Sequence, residues 1–222
     1  SGTALLEISK SFKHHFTFPI VIGKVNNDVT ELCEEIRRSC DVDFYDRSHP
    51  TGNSIYGRSL QFLLVVAVKH LFGNKVELMI EHSIDKGFYC EIVGADINKN
   101  DVANIYDEMR KITDEDLVYT KLSVSRLEAI EFFRKRGQID KAKVLRYISN
   151  TYINLYRLDN VYDYFYGEMA YSTGAIDEYR LTYIRDNGFV VSFPDVYGPH
   201  GTLDYVHHEM LFNAFLEYTN WG

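Results

Sequence analysis

The chain holds three cysteines, four prolines and one tryptophan among its 222 residues. Cys33, Cys40 and Cys90 are odd in number and form no CxxC, so the sequence supports neither a disulfide framework nor a cysteine zinc site, and all three read as reduced thiols. His208-Glu209-Met210-Leu211-Phe212 begins like HExxH but lacks the second histidine that would put two imidazoles on one helical face. Gly23-Lys24-Val25 has neither the preceding glycine nor the following serine or threonine of a phosphate loop, and no GxGxxG opens a helix. ATP chemistry within this chain is therefore unsupported. No apolar run approaches the roughly 20 residues a membrane helix needs, since Leu60 to Leu71 is interrupted by Gln61 and Lys69. With no charged-then-apolar opening either, a cytoplasmic protein without a membrane partner is expected. Positive charge is also short: 24 basic against 32 acidic side chains give −8, which argues against a surface built to bind DNA or RNA as a whole.

What is present reads as an α+β chain, 45% hydrophobic. Ala4 to Phe12 is predicted as helix with Thr3 as N-cap, Ile20 to Val25 as strand, Val29 to Arg38 as a second helix and Val42 to Tyr45 as a short strand. Ser48-His49-Pro50-Thr51-Gly52-Asn53 is the strongest loop signal of the first half and marks the expected domain boundary. From Ile55 to Phe72 the apolar residues Leu60, Leu63, Leu64, Ala67, Val68 and Leu71 share one helical stripe. The opposite face carries Arg58, Phe62, Val65 and Lys69, so this helix is sandwiched and its two cations must reach water or meet anions.

Strands are predicted at Val76–Ile80 and Phe88–Val93, joined through a loop that holds His82, the histidine most worth inspecting. Helices follow at Asp101–Lys111, at Ser125–Gly137 behind the capping box Ser125-Arg126-Leu127-Glu128, and at Ile139–Ile148. Between Ser125 and Arg146 lie Arg126, Arg134, Lys135, Arg136, Lys141, Lys143 and Arg146 against Glu128, Glu131 and Asp140, which reads as solvated helix faces before it reads as an RNA contact. Alternation from Val161 to Tyr166 sets Tyr162, Tyr164 and Tyr166 on one face, Asp163 and Phe165 on the other. Asn187-Gly188 predicts a hairpin with both turn positions at positive φ, and Leu203 to Tyr218 a final helix before Trp221.

An ordered series of segments carries a resemblance. Arg58-Ser59 opens the long helix; Ile84-Asp85-Lys86-Gly87-Phe88-Tyr89 precedes a strand; Ile112 to Leu117, Ser125 to Gly137 and Asp163 to Ser172-Thr173-Gly174 follow. In this order they resemble the second, editing domain of threonyl-tRNA synthetases, related to that of alanyl synthetases, and residues 3–46 resemble the TGS domain, a small β-grasp fold, with its first hairpin missing. The resemblance implies an incomplete β-grasp unit over residues 1–47, an editing-domain-like α+β sandwich over 53–195 and a C-terminal helix in 196–222. In that family HxxxH on the long helix and CxxxH near the Ser-Thr-Gly segment hydrolyse mischarged tRNA. Laid on this chain, the motif puts Arg58 and Phe62 at the histidines, Phe165 and Met169 at the cysteine and second-segment histidine. No metal ligand or general base survives, so no catalytic residue and no metal are expected.

A second resemblance covers nearly the whole chain. Leu5-Leu6-Glu7-Ile8, Tyr56-Gly57-Arg58-Ser59, Glu81-His82-Ser83, Gly87-Phe88-Tyr89-Cys90-Glu91, Gly137-Gln138-Ile139-Asp140-Lys141 and Asp163-Tyr164-Phe165-Tyr166-Gly167 look like the N-terminal half of bacterial uridine kinase-like proteins. It implies a non-catalytic accessory module whose partner is its own C-terminal kinase domain, with ATP and magnesium needed only there and Leu203–Trp221 as the approach to it. RNA or a nucleotide is the implied ligand, and Arg58, His82, Asp163, Tyr164 and Tyr166 are the candidate contacts, Arg58 anchoring an anion in a cleft beside Asp163–Gly174 or pairing with Asp163. The alternatives are a hydrolase of mischarged tRNA using His82 with Cys90 or Asp163, and a protein-interaction scaffold built on the tyrosines.

Overall fold

The computed structural model describes residues 2–84 and 87–196, and only the backbone of 81–84. The helix expected from Leu203 to Tyr218, Trp221 and the side chain of His82 lie outside the described residues. Five α-helices and twelve strands among the described residues make a mixed α+β fold.

In the N-terminal unit β1 (Thr3–Ala4) runs into α1 (Leu5–Phe12), and β2 (Ile20–Val25), β3 (Asp28–Thr30), β4 (Glu35–Ile36) and β5 (Val42–Asp46) follow. The sheet order is β3-β2-β5, with β1 paired to β4 apart from it. Thr3 is not the N-cap, because Ala4 holds that position and Thr3 pairs with Ile36. The helix expected over Val29–Arg38 is absent. Asn26, at φ +55°, turns the chain back into β3, and the carbonyls of Leu32 and Glu34 accept the Leu6 and Leu5 N–H groups at 2.8 and 2.9 Å. Those are orphan donors of the first turn of α1, and satisfying them outweighs the helical bias of Glu31-Leu32-Cys33-Glu34-Glu35.

α2 (Pro50–Phe72) starts inside the segment expected to be a loop. Pro50 suits the first helical position, and the His49 ring caps it by accepting the Thr51 N–H at 3.2 Å. A Cβ on Gly52 would lie 1.9 Å from the Asp46 carbonyl oxygen, so the helix begins pressed on the end of β5. This start makes α2 23 residues long, enough to cross a membrane by length and apolarity, yet 61% of its most apolar window is buried in the protein. It is the core helix.

Around α2 pack β6 (Glu77–Ile84), β7 (Gly87–Val93), α3 (Lys99–Asp114), β11 (Arg180–Arg185) and β12 (Gly188–Ser192), the strands forming one antiparallel sheet in the order β11-β12-β7-β6. His82 therefore lies on β6 and not in a loop. The hairpin between β11 and β12 turns at Asp186 and Asn187, φ +45° and +67°, one residue earlier than expected. Gly188 is needed for another reason: a Cβ there would meet the Tyr89 hydroxyl at 2.0 Å.

A second sheet, β8 (Thr120–Ser125), β9 (Tyr152–Leu158) and β10 (Val161–Tyr164) in the order β10-β9-β8, carries α4 (Arg126–Lys135) and α5 (Ile139–Arg146). The capping box at Ser125 is made in full, and its two hydrogen bonds hold the Glu128 carboxyl below the usual range. Ala129, Phe133, Ala142, Leu145, Ile153 and Leu155 form the small core between these helices and the sheet. β10 ends at Tyr164, so Tyr166 does not share a strand face with Tyr162 and Tyr164 as the alternation predicted.

Candidate functional site

The site grows from the meeting of α2 with the segment that leaves β10, residues 165–170. Ser59, fully buried, donates to the Ile55 carbonyl at 2.9 Å and accepts the Ala170 N–H at 2.9 Å, which pins that segment against the helix. One turn on, the buried Phe62 ring lies 5.1 Å from the Phe165 ring and 6.0 Å from that of Tyr119. The sulfur of buried Met169 lies 3.6 Å from the Ser59 hydroxyl. The four positions matched to the editing motif thus do converge, and three of them fill the space between the elements with apolar atoms. Val66, the next residue on this stripe, is fully buried too, so a histidine pair laid one turn later would also fall on apolar side chains.

Arg58 stands at the edge of this fill. Its Nη1 donates to the Glu168 carbonyl at 2.5 Å, and Gly167, at φ +110°, passes so close that a Cβ would lie 2.8 Å from the guanidinium carbon. The expected pairing of Arg58 with Asp163 is not formed. Asp163 is buried and bound to Lys141 at 2.5 Å, with its other oxygen accepting the Tyr164 N–H at 2.8 Å. The reversal at Gly167 presents the Glu168 carbonyl to the guanidinium where a carboxylate was expected.

A group missed by the sequence reading secures the segment from the other side. Glu31 of the N-terminal unit is buried; its Oε1 accepts the Tyr156 hydroxyl at 2.5 Å and the Met169 N–H at 3.0 Å, while Lys121 lies 3.4 Å from its Oε2. Burial and the Glu31 carboxylate together push the Tyr156 phenol well above its ordinary range. The sequence places Glu31 in the helix expected over Val29–Arg38, and no local pattern marks a carboxylate whose partners lie 125 and 138 residues away. Arg47, also buried, ties the N-terminal unit to the chain beyond the segment, pairing with Glu178 at 2.8 Å and Asp177 at 3.4 Å.

Two cavities flank the segment, and Arg58 lines neither. One, about 420 Å³, lies over Tyr152, Tyr156, Tyr164 and Tyr166, with Lys121 and Glu168 at its wall. The other, about 450 Å³, is enclosed by Val65 and Lys69 of α2, by β6, by the Arg136–Lys141 turn and by Asp163–Phe165. Of the sequence candidates, Asp163 and Tyr164 line the second and Tyr164 and Tyr166 the first, whereas the side chain of His82 lies outside the described residues. Cys90 faces the core, fully buried, and burial pushes its thiol far above the range in which it would act as a nucleophile.

No protein-family model matches the chain. It is similar to the threonine–tRNA ligase of Desulforamulus reducens, 28% identical over 182 residues, which is 81% of this chain and 28% of the ligase. The ligase of Carboxydothermus hydrogenoformans is 29% identical over 178 residues, 79% of this chain and 28% of its own length. That of Francisella tularensis subsp. novicida is 24% identical over 204 residues, 89% and 32%. Most of the chain is thus a threonyl-tRNA synthetase-like region, and it spans less than a third of the length of these relatives.

Proposed function

We propose that this chain is a non-catalytic, editing-domain-like module that binds an RNA or nucleotide-like ligand and serves as the accessory region of a uridine kinase-like protein. The observation that carries the non-catalytic reading is the apolar fill. Phe62, Phe165 and Met169 sit together where a hydrolytic site would need ligands and a base, and none of the three can coordinate a hard metal ion or take a proton. The accessory role is supported by the run of segments from Leu5-Leu6-Glu7-Ile8 to Asp163-Tyr164-Phe165-Tyr166-Gly167, and the ligand by two cavities bordered with cations and tyrosines. In this reading residues 1–47 form the TGS-like unit, residues 53–195 the editing-like module, and ATP and magnesium act in the kinase domain alone.

The test is seryl-tRNA(Thr) deacylation by the purified chain, where no hydrolysis above the buffer rate is expected. Deacylation that is lost on Cys90→Ala or Asp163→Asn would sink the reading in favour of a hydrolase with a different residue set. A protein-interaction scaffold is the second reading, favoured by Tyr147, Tyr152 and Tyr166 at 90%, 66% and 84% exposure. It gains if neither tRNA nor nucleotides bind at millimolar concentration.

A further inference from the structure

We propose that the cavity between α2, β6 and the α4–α5 turn is a binding site for a small phosphate monoester whose body presents a flat apolar ring face, of the chemical class of a nucleoside monophosphate. The inference rests on the nucleotide-like ligand of the preceding reading and gives it a place, away from Arg58. The volume, about 450 Å³, is that of a site for a small organic molecule.

Three cations converge on it: Lys69, Arg136 and Lys141. Lys141 is neutralised by Asp163, and Asp140, on the same wall, is turned to Lys143 at 2.9 Å. Lys69 and Arg136 have no ion-pair partner among the described residues, and Glu77 is the remaining acid on the lining. Arg136 is held in place without an anion, its guanidinium 4.1 Å from the Phe132 ring and 4.8 Å from that of Tyr162. Gly137, at φ +74°, closes α4 and sends the chain along the cavity wall. Lys69 is under stress, since burial first, then Lys141 and Arg136, hold its ammonium below the ordinary lysine value against the pull of Asp163. A dianionic phosphate set between Lys69 and Arg136 removes that stress.

The rest of the lining selects against a bare anion. Val65, Val76, Leu78, Ile80 and Phe165 give an apolar floor that inorganic phosphate leaves unused and that the body of an ester covers. Phe165, which fills the degenerate site on one side, forms this floor on the other.

Titration calorimetry of the whole chain with uridine 5′-monophosphate, uridine and inorganic phosphate tests the site. The monophosphate is expected to bind more tightly than either part. Lys69→Met and Arg136→Gln should each weaken it about tenfold, as loss of a charged hydrogen-bond donor does, while Arg146→Gln, which removes an exposed cation of α5 outside the cavity, should leave it unchanged. Lys69→Gln repeats the charge loss if the methionine disturbs packing. The proposal is overturned if the monophosphate does not bind at millimolar concentration, if Lys69→Met and Arg136→Gln change nothing, or if Arg146→Gln weakens it equally. It is also overturned if an oligouridine binds and the monophosphate does not. Loss of binding on Arg58→Gln alone would move the ligand to the rim of the filled site and leave the ligand reading standing, whereas hydrolysis of seryl-tRNA would remove that reading itself.

Discussion

The segment leaving β10 has two sides built to opposite plans. Toward α2 and the N-terminal unit it is sealed, with its N–H groups taken by Ser59 and Glu31 and its side chains locked against Phe62. Toward β6 and the α4–α5 turn it is open, and cations stand there with fewer partners than charges. A sealed apolar site contributes stability and no chemistry; an open one with uncompensated charge gives up stability and gains a place for a ligand. Substitutions on the two sides should therefore move stability in opposite directions.

The largest effect is expected on the sealed side. Phe62→Ala removes a fully buried ring packed on Phe165 and Tyr119 and should cost about 3–5 kcal/mol, read as a lowered midpoint in urea. A cost under ~1 kcal/mol would mean the fill is loose and the old site still a cavity. Glu31→Ala leaves the buried Met169 N–H without its acceptor, while the Tyr156 hydroxyl keeps the Gly167 carbonyl at 3.1 Å, with an expected loss of about 1–3 kcal/mol. If that loss appears only as fraying of residues 2–48, with hydrogen exchange at Met169 unchanged, Glu31 does not hold the segment. Ser59→Ala deprives Ala170 N–H of its acceptor and should cost about 1–2 kcal/mol.

On the open side the sign reverses. The fold lowers the Lys69 pKa, so the unfolded chain binds that proton more readily than the folded one, and stability from this group rises as pH climbs through the folded pKa toward the ordinary lysine value. Lys69→Met should abolish that rise and, discounted for partial solvent exposure, stabilise the ligand-free protein by roughly 0.5 kcal/mol at neutral pH. A loss instead of a gain would mean that Lys69 already has its anion. Over the other cavity, Tyr166→Ala, at 84% exposure, should fall within about 0.5 kcal/mol of zero by thermal denaturation.

Local patterns made much of the fold legible. The apolar stripe of α2, the capping box at Ser125 and the strands at Ile20–Val25 and Phe88–Val93 follow from residues within one turn or one strand of each other. The errors share a cause. Glu31–Glu35 has helical composition, but its Leu32 and Glu34 carbonyls are taken by α1. Pro50–Asn53 has loop composition, but a proline and a histidine cap make it a helix start. In the site, the family resemblance implies that Arg58, Phe62, Phe165 and Met169 converge, yet of the two roles expected of Arg58, anchoring a ligand anion or pairing with Asp163, the second gives way to a backbone carbonyl.

Through the resemblance it carries, the sequence by itself set Arg58, Phe62, Phe165 and Met169 at the positions matched to the editing motif, side chains that neither coordinate a hard metal ion nor act as a base. It also showed that Arg58 and Lys69 share one face of a sandwiched helix and must each meet water or an anion. Only the tertiary structure decided between the two, because the answer depends on what other parts of the chain bring to each cation. Gly167 and Glu168 bring a backbone carbonyl to one nitrogen of Arg58, while the α4–α5 turn brings Arg136 and Lys141 toward Lys69, whose ammonium they hold down against the pull of Asp163.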